Sequence, residues 1–421
     1  MGSLREGFCK ADTNPPTGGP SLSVSGNRLN RPSTHSDARP LVPQYPLFSP
    51  SALVFRSGTL GTAGTVYFDF FWARNAIFHG LRALGIRPGQ KILVPAYLCT
   101  AAIEPIEYFG AEVEFYAIRR NCLPDWSDLE AKIRGNVRAI MAVHYFGFPC
   151  DIEKFCALCD QYSLFLIEDC AHVLEGVPNQ HGFGEFGDFS VFSPRKYLPV
   201  FDGGRLRLNR PAPGFQVRFQ FESPLFTFRE AKDLFDRRKP PSASLGAPPP
   251  PEPQAEAVRS ERELVLDRGR PGKPLDVFPN STSFLPWMAT FPMSRLSKHL
   301  LTHFPILNIA SRRRANYDRL LERLSRLEGV QPLFERWAPD VVPWVLPLTI
   351  GERSDAHTAL RALGIPAVTW GGVRDRRISA REFPEADFLY EHLVFLPIHQ
   401  DLETAHLDLI ADAVATVFRA G

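Results

Sequence analysis

The 421-residue chain has no strong excess of charge, no long apolar run and no cysteine framework. Lys and Arg number 48 against 46 Asp and Glu, a formal net charge of +2. A balance this close to neutral gives no electrostatic footprint for nucleic acid or for an anionic membrane surface, so neither is expected as a partner. The longest apolar stretches, KILVPAYL near residue 95 and PWVLPLTI near residue 346, fall well short of the roughly 18 residues a membrane helix needs. The N-terminal MGSLREGFCKADTNPP lacks the apolar centre of a signal peptide, and Glu6 stands where a myristoylation signal wants Ser or Thr. The expected location is cytoplasmic. The seven cysteines are odd in number and irregularly spaced, which suits reduced thiols. Cys156 and Cys159 form a C-x-x-C within a helical pattern, with no second pair and no nearby His, so they read as structural and no metal site is expected.

What is present is the profile of a soluble globular enzyme, 44% apolar and 22% charged, and long enough to bury a continuous core. Residues 1–49 hold many Pro, Ser, Gly and Asn without period, and read as a mobile arm. A second such stretch, 237–275, carries seven prolines between Pro240 and Pro253 and reads as an extended insertion within a folded unit. Between them, helical patterns at 73–85, 99–110, 127–135 and 151–163 alternate with apolar strands at 91–95, 111–118, 138–144 and 164–169. Ser127, with Glu130 three residues on, reads as a capping box for the third helix. This alternation predicts βαβ crossovers and an α/β fold with a mostly parallel sheet between helices. The large domain is expected over 50–236, interdomain helices over 276–330 and a smaller α+β domain over 331–421. The run Arg312–Arg314, in a long helix predicted at about 305–328, reads most simply as a solvated face, with a phosphate site as the alternative.

In open parallel sheets ligands gather beyond the carboxyl ends of strands. LFLIEDCAH ends a strand in Glu168-Asp169 and continues to His172; a carboxylate there can cap a helix, bind a metal, act as a base or pair with a cofactor cation. FSVFSPRK ends another strand at Ser193, Arg195 and Lys196, and is followed by Asp202-Gly203-Gly204. Lys196 is either a surface lysine in a basic loop or a buried amine, whose depressed pKa makes it a nucleophile able to form a Schiff base. The glycine pair permits positive φ or close backbone approach. In VPAYLCT, Tyr97 stands just past a strand and suits either packing or stacking on a flat ring. ARNA opens the helix at 73, where free N–H groups and Arg74 can hold a phosphate. A lysine, an aspartate, an aromatic and a phosphate-ready helix start are together what pyridoxal phosphate requires.

The order LVPAYLCT, AVHYFGFPCDIEKF, LFLIEDCAH, FSPRKYLP-x-x-DGG and LPIHQDL resembles the DegT/DnrJ/StrS-type nucleotide-sugar aminotransferases of pyridoxal-phosphate fold type I, strongly over 65–235 and weakly over 283–420. The resemblance implies that Lys196 is the Schiff-base lysine, Asp169 the partner of the pyridine nitrogen, Tyr97 the stacking aromatic and His172 a ring-facing neighbour. It implies Arg74 and Asn75 at the phosphate, and it matches His144 to a strand-end histidine that is otherwise structural. It further implies transamination from an amino donor such as glutamate to a keto-sugar, on a homodimer. Two positions depart from the family. Val191 stands five residues before the lysine, where a phosphate-binding Ser is common, leaving Ser193 as the substitute; and no Gly-Tyr-Asn segment for the partner subunit's phosphate contact is recognisable at 280–295. Two alternatives stay open: a lyase or dehydratase on the same fold, against which Lys196 argues because the family's sugar dehydratases carry His there, and a non-catalytic sugar-nucleotide-binding or regulatory relative.

Overall fold

In the computed structural model, residues 42–53, 66–177, 182–220, 232, 284–335, 338 and 341–419 are described. Most of the expected arm and the whole proline-rich insertion lie outside them. The strands β1 (Val66–Phe70), β2 (Lys91–Pro95), β3 (Glu112–Tyr116), β4 (Val137–Val143), β5 (Phe165–Cys170), β6 (Phe189–Phe192) and β7 (Gly204–Leu208) form one sheet in the order β1-β7-β6-β5-β4-β2-β3. From β6 to β3 the pairing is parallel throughout, and β7 runs against both its neighbours. The central strands are apolar on both faces and almost wholly buried, as helix-covered parallel strands must be.

Four helices fall close to the predicted spans: α1 (Ala73–Ala83), α2 (Thr100–Phe109), α3 (Trp126–Ala131) and α4 (Ile152–Tyr162). The capping box at Ser127 does not form. Asp125 is the N-cap and accepts from the Ser127 and Asp128 amides at 3.1 and 3.2 Å, while Glu130 turns outward to accept from Tyr162 Oη. An aspartate two residues upstream reaches the free amides of the first turn, so the serine is drawn inside the helix. Asp125→Ala is expected to cost about 1 kcal/mol, read as a lower midpoint in denaturant unfolding.

The C-terminal third supplies α5 (Arg295–Leu301), α6 (Ile306–Leu324), α7 (Ala356–Ala362), α8 (Pro384–His392) and α9 (Thr404–Arg419). With them stands an antiparallel sheet of β8 (Val330–Pro332), β9 (Val345–Ile350) and β10 (Val394–Pro397) in the order β10-β9-β8. One apolar core runs through both sheets, from Ile92 and Ile140 to Leu346, Leu396 and Ile410.

Two expectations are corrected here. Residues 42–48, assigned to the arm on composition, are packed: Val42 is fully buried in the main core and Phe48 sits in a second cluster with Leu198 and Val200. The arginine run is not a solvated face. Only Arg312 is exposed, and Arg313 is 1% exposed because α6 turns that side toward β9 and the loop after β6.

Candidate active site

Parallel register decides which strand-end side chains meet. Val143, Asp169 and Val191 are neighbours across β4, β5 and β6, and all three line one cavity of about 430 Å³. Glu168, one residue earlier, faces the other way by the alternation of the pleat. There it accepts from the Phe186 and Gly187 amides at 3.1 and 2.9 Å, and pairs with His144 Nε2 at 2.9 Å. His144 Nδ1 accepts from the Cys150 amide, which makes this histidine structural. His144, Glu168 and Cys170 form a buried group of metal-ligand type, but the Glu168 oxygens are already engaged by backbone amides.

Lys196 follows β6 on a 3₁₀ turn, Pro194–Lys196, and opens into the same cavity with Ser193 and Arg195. Burial pushes its pKa down to about 8, against the opposing pull of Asp169. The neutral amine is therefore a minority form near physiological pH, but a far larger one than a solvent-exposed lysine offers. Its Nζ lies 4.8 Å from the ring centroid of Trp344. Burial raises the Asp169 carboxyl above its ordinary value while the Lys196 charge draws it back, and the Ala171 amide donates to Oδ1 at 2.8 Å.

His172 also lines the cavity, its ring stacked 4.5 Å from Trp344 and 5.7 Å from Phe146. The Phe146 amide donates to Nδ1 at 3.2 Å. This contact uses a left-handed backbone at Phe146 (φ 57°). Burial and then Lys196 hold the imidazole far below its usual pKa, so the ring is neutral and carries its proton on Nε2. A side chain at Gly147 would meet the Val342 carbonyl at 2.4 Å and Tyr197 Oη at 2.8 Å, so only glycine fits beneath the lysine loop.

The cavity reaches the start of α1 through Trp72, Ala73 and Arg74. Trp72 is the N-cap and supplies no side-chain cap, and the Arg74 guanidinium lies 4.4 Å from its ring centroid. The start of α2 arrives beside it with Cys99, Ala101 and Ala102, again without a side-chain cap. Such helix starts suit an anion. The Asp202-Gly203-Gly204 turn brings this about. Gly203 has φ 144°, and a Cβ on Gly204 would lie 2.0 Å from the Trp72 carbonyl carbon. Both uses foreseen for the glycine pair are thus found.

Two predicted residues lie elsewhere. Tyr97 is fully buried behind the cavity, between Tyr145, Trp370 and Tyr390, and Tyr390 Oη accepts from the next amide, Leu98, at 2.8 Å. Leu98 and Cys99 face the cavity in its place. Asn75 is also fully buried and donates through Nδ2 to the Met288 carbonyl at 2.8 Å, docking the 286–289 turn on α1. Sequence reasoning missed Trp344, Trp370, Arg313 and His399, all of which line the cavity. Arg313 donates to the carbonyls of Trp344 (2.8 Å) and Tyr197 (3.4 Å) and to Gln400 Oε1 (3.0 Å), bracing the lysine loop against β9. The motif LPIHQDL held the only signal for His399.

An amine of near-neutral pKa, a carboxylate on the neighbouring strand, a neutral histidine and two uncapped helix starts with an arginine form a donor set that suits pyridoxal phosphate. The fold is shared with solved aminotransferases. It superposes on the aminotransferase TlmJ from Streptoalloteichus hindustanus with a TM-score of 0.61 at 16% identity, covering 90% of this chain and 99% of that one. In sequence, residues 73–218 match the DegT/DnrJ/EryC1/StrS aminotransferase family, the segment that runs from α1 to just past β7. The GDP-perosamine synthase of Vibrio cholerae is 38% identical over 28% of this chain and 32% of its own length. The UDP-N-acetyl-3-dehydro-alpha-D-glucosamine 3-aminotransferase of Acidithiobacillus ferrooxidans is 37% identical over 31% of this chain and 36% of its own. The chain thus spans about a third of the length of the curated relatives it matches.

Proposed function

We propose that the protein is a pyridoxal-phosphate-dependent aminotransferase, moving an amino group from an amino acid such as glutamate to a keto group on a nucleotide-linked sugar. The observation that carries this reading is the opening of Lys196 and Asp169 onto one cavity, the lysine with its pKa near 8. When bound, the cofactor supplies a carbonyl carbon that bonds amines and a cationic ring that accepts negative charge. Lys196 Nζ would hold it and, as a free amine, would be the base that moves the proton at the donor's Cα. The Asp169 carboxylate would stabilise the positive charge of the cofactor's protonated ring. Arg74, Ser193 and the α1 start would hold the phosphate, and neutral His172 would line the site without adding a competing charge. The amino group leaves the donor as it becomes a keto acid and enters the ketone as it becomes an amine, so no external oxidant is required.

The two nucleotide-sugar relatives, one named for a GDP-linked and one for a UDP-linked sugar, support the acceptor class. The reading extends to a cytoplasmic homodimer, with a large domain over 50–236 and a small one over 331–421. Among the described residues no helix is long and apolar enough to cross a membrane. The test is the absorbance of the protein loaded with pyridoxal phosphate. Glutamate is expected to move the band from the visible edge toward the ultraviolet, and a band that ignores every amino acid would sink the reading.

A further inference from the structure

Residues 43–47 form a short strap along one wall of the cavity, which Gln44, Tyr45 and Pro46 line. Its ends are fixed by Val42 in the main core and Phe48 in the second cluster. Between them, the Pro43 carbonyl accepts from His399 Nε2 at 2.9 Å and the Leu47 amide donates to Asp401 Oδ2 at 2.9 Å. Gln400, between those two anchors, donates to the Tyr197 carbonyl at 3.2 Å, one residue past Lys196. One tripeptide therefore holds the strap with its outer residues and the lysine loop with its middle one. Gln44, Tyr45 and Pro46 consequently line the same cavity as Lys196, although they lie some 150 residues away in sequence.

The chemistry of this wall differs from that of the rest. Around the lysine the lining is ionic, with Arg74, Asp169, Arg195 and Arg313. The strap presents a carboxamide and a phenol, with Gln44 Nε2 donating to Tyr45 Oη at 3.2 Å and Tyr45 about half exposed at 46%. Neutral donor–acceptor groups beside an aromatic face are suited to the hydroxyls and ring of a sugar, and lack the positive charge that pairs best with the carboxylates of an amino-acid donor.

We propose that Gln44 and Tyr45 contact the sugar ring of the keto acceptor, so that the strap determines which sugar is aminated. This rests on the aminotransferase reading above. The two half-reactions separate the two ideas. Protein loaded with pyridoxal phosphate is mixed with glutamate, and its aminated form is then mixed with UDP-N-acetyl-3-dehydro-alpha-D-glucosamine. The reverse step is run with GDP-perosamine, each followed by absorbance. In the double variant Gln44→Ala/Tyr45→Ala, the glutamate step is expected to keep its rate within about twofold. The sugar step should show KM raised about tenfold, with kcat changed much less. Asp401→Ala, which frees the Leu47 amide and loosens the strap while leaving both side chains in place, should raise the same KM.

Equal KM in the double variant and the unaltered protein would overturn the assignment, as would an equal fall in both half-reactions, which would mark the strap as general support. If the unaltered protein converts glutamate yet reacts with neither nucleotide sugar, the acceptor class is wrong and this inference falls with it. Failure of the glutamate step itself refutes the earlier reading instead.

Discussion

Lys196→Ala is expected to abolish transamination, lowering the single-turnover rate with glutamate by on the order of 10³-fold or more, because both the covalent anchor and the proton-transfer base are lost. The loaded variant should also lack the unaltered protein's visible-edge band, a readout that does not depend on turnover. The pH dependence has a definite sign. With a pKa of about 8, the amine is mostly protonated below that pH and cannot attack a carbonyl. The rate at which cofactor-free protein captures pyridoxal phosphate should therefore rise about tenfold per pH unit up to pH 8 and level off above it. A capture rate that goes on rising tenfold per unit beyond pH 9 would show the amine to be unperturbed by its cavity.

Asp169→Asn is expected to cost on the order of 10²–10³-fold in the glutamate half-reaction, since a neutral amide no longer stabilises a cationic pyridine ring. Cofactor capture should survive, because Lys196 remains. A second consequence follows from the charge pair. The Asp169 carboxylate raises the Lys196 pKa against the downward effect of burial. Its removal should shift the midpoint of the capture profile below 8. A loss of rate with an unmoved midpoint would mean that the two groups do not sense each other across the cavity.

These two residues were legible in the sequence for a physical reason. Apolar runs ending in Asp169 and, after a short turn, in Lys196 mark strand termini, and parallel sheets bring such termini together at one edge. Glu168 and Asp169 show the limit of that reasoning. Both are acidic and adjacent, and the pleat sends one to the cavity and the other to a nest of amides. Tyr97 shows it more sharply. It lies two residues past β2, where no pleat fixes the side-chain direction, and Tyr390 from α8 holds residues 96–98 so that the ring turns inward. The resemblance implies Asn75 at the phosphate, yet its partner is the Met288 carbonyl, 213 residues away.

By itself, the sequence determined the α/β alternation and the strand ends at which Asp169 and Lys196 stand, because each depends on periodicity and local chemistry along a few tens of residues. Only the tertiary structure decided that Arg313 braces the lysine loop instead of meeting solvent, that Trp344 and Trp370 wall the cavity, and that residues 44–46 line it too. Each of those depends on the second sheet and its loops arriving over the first, a contact between segments far apart in the chain. Hydrophobic period and turn chemistry describe one segment at a time, so they leave such contacts undetermined.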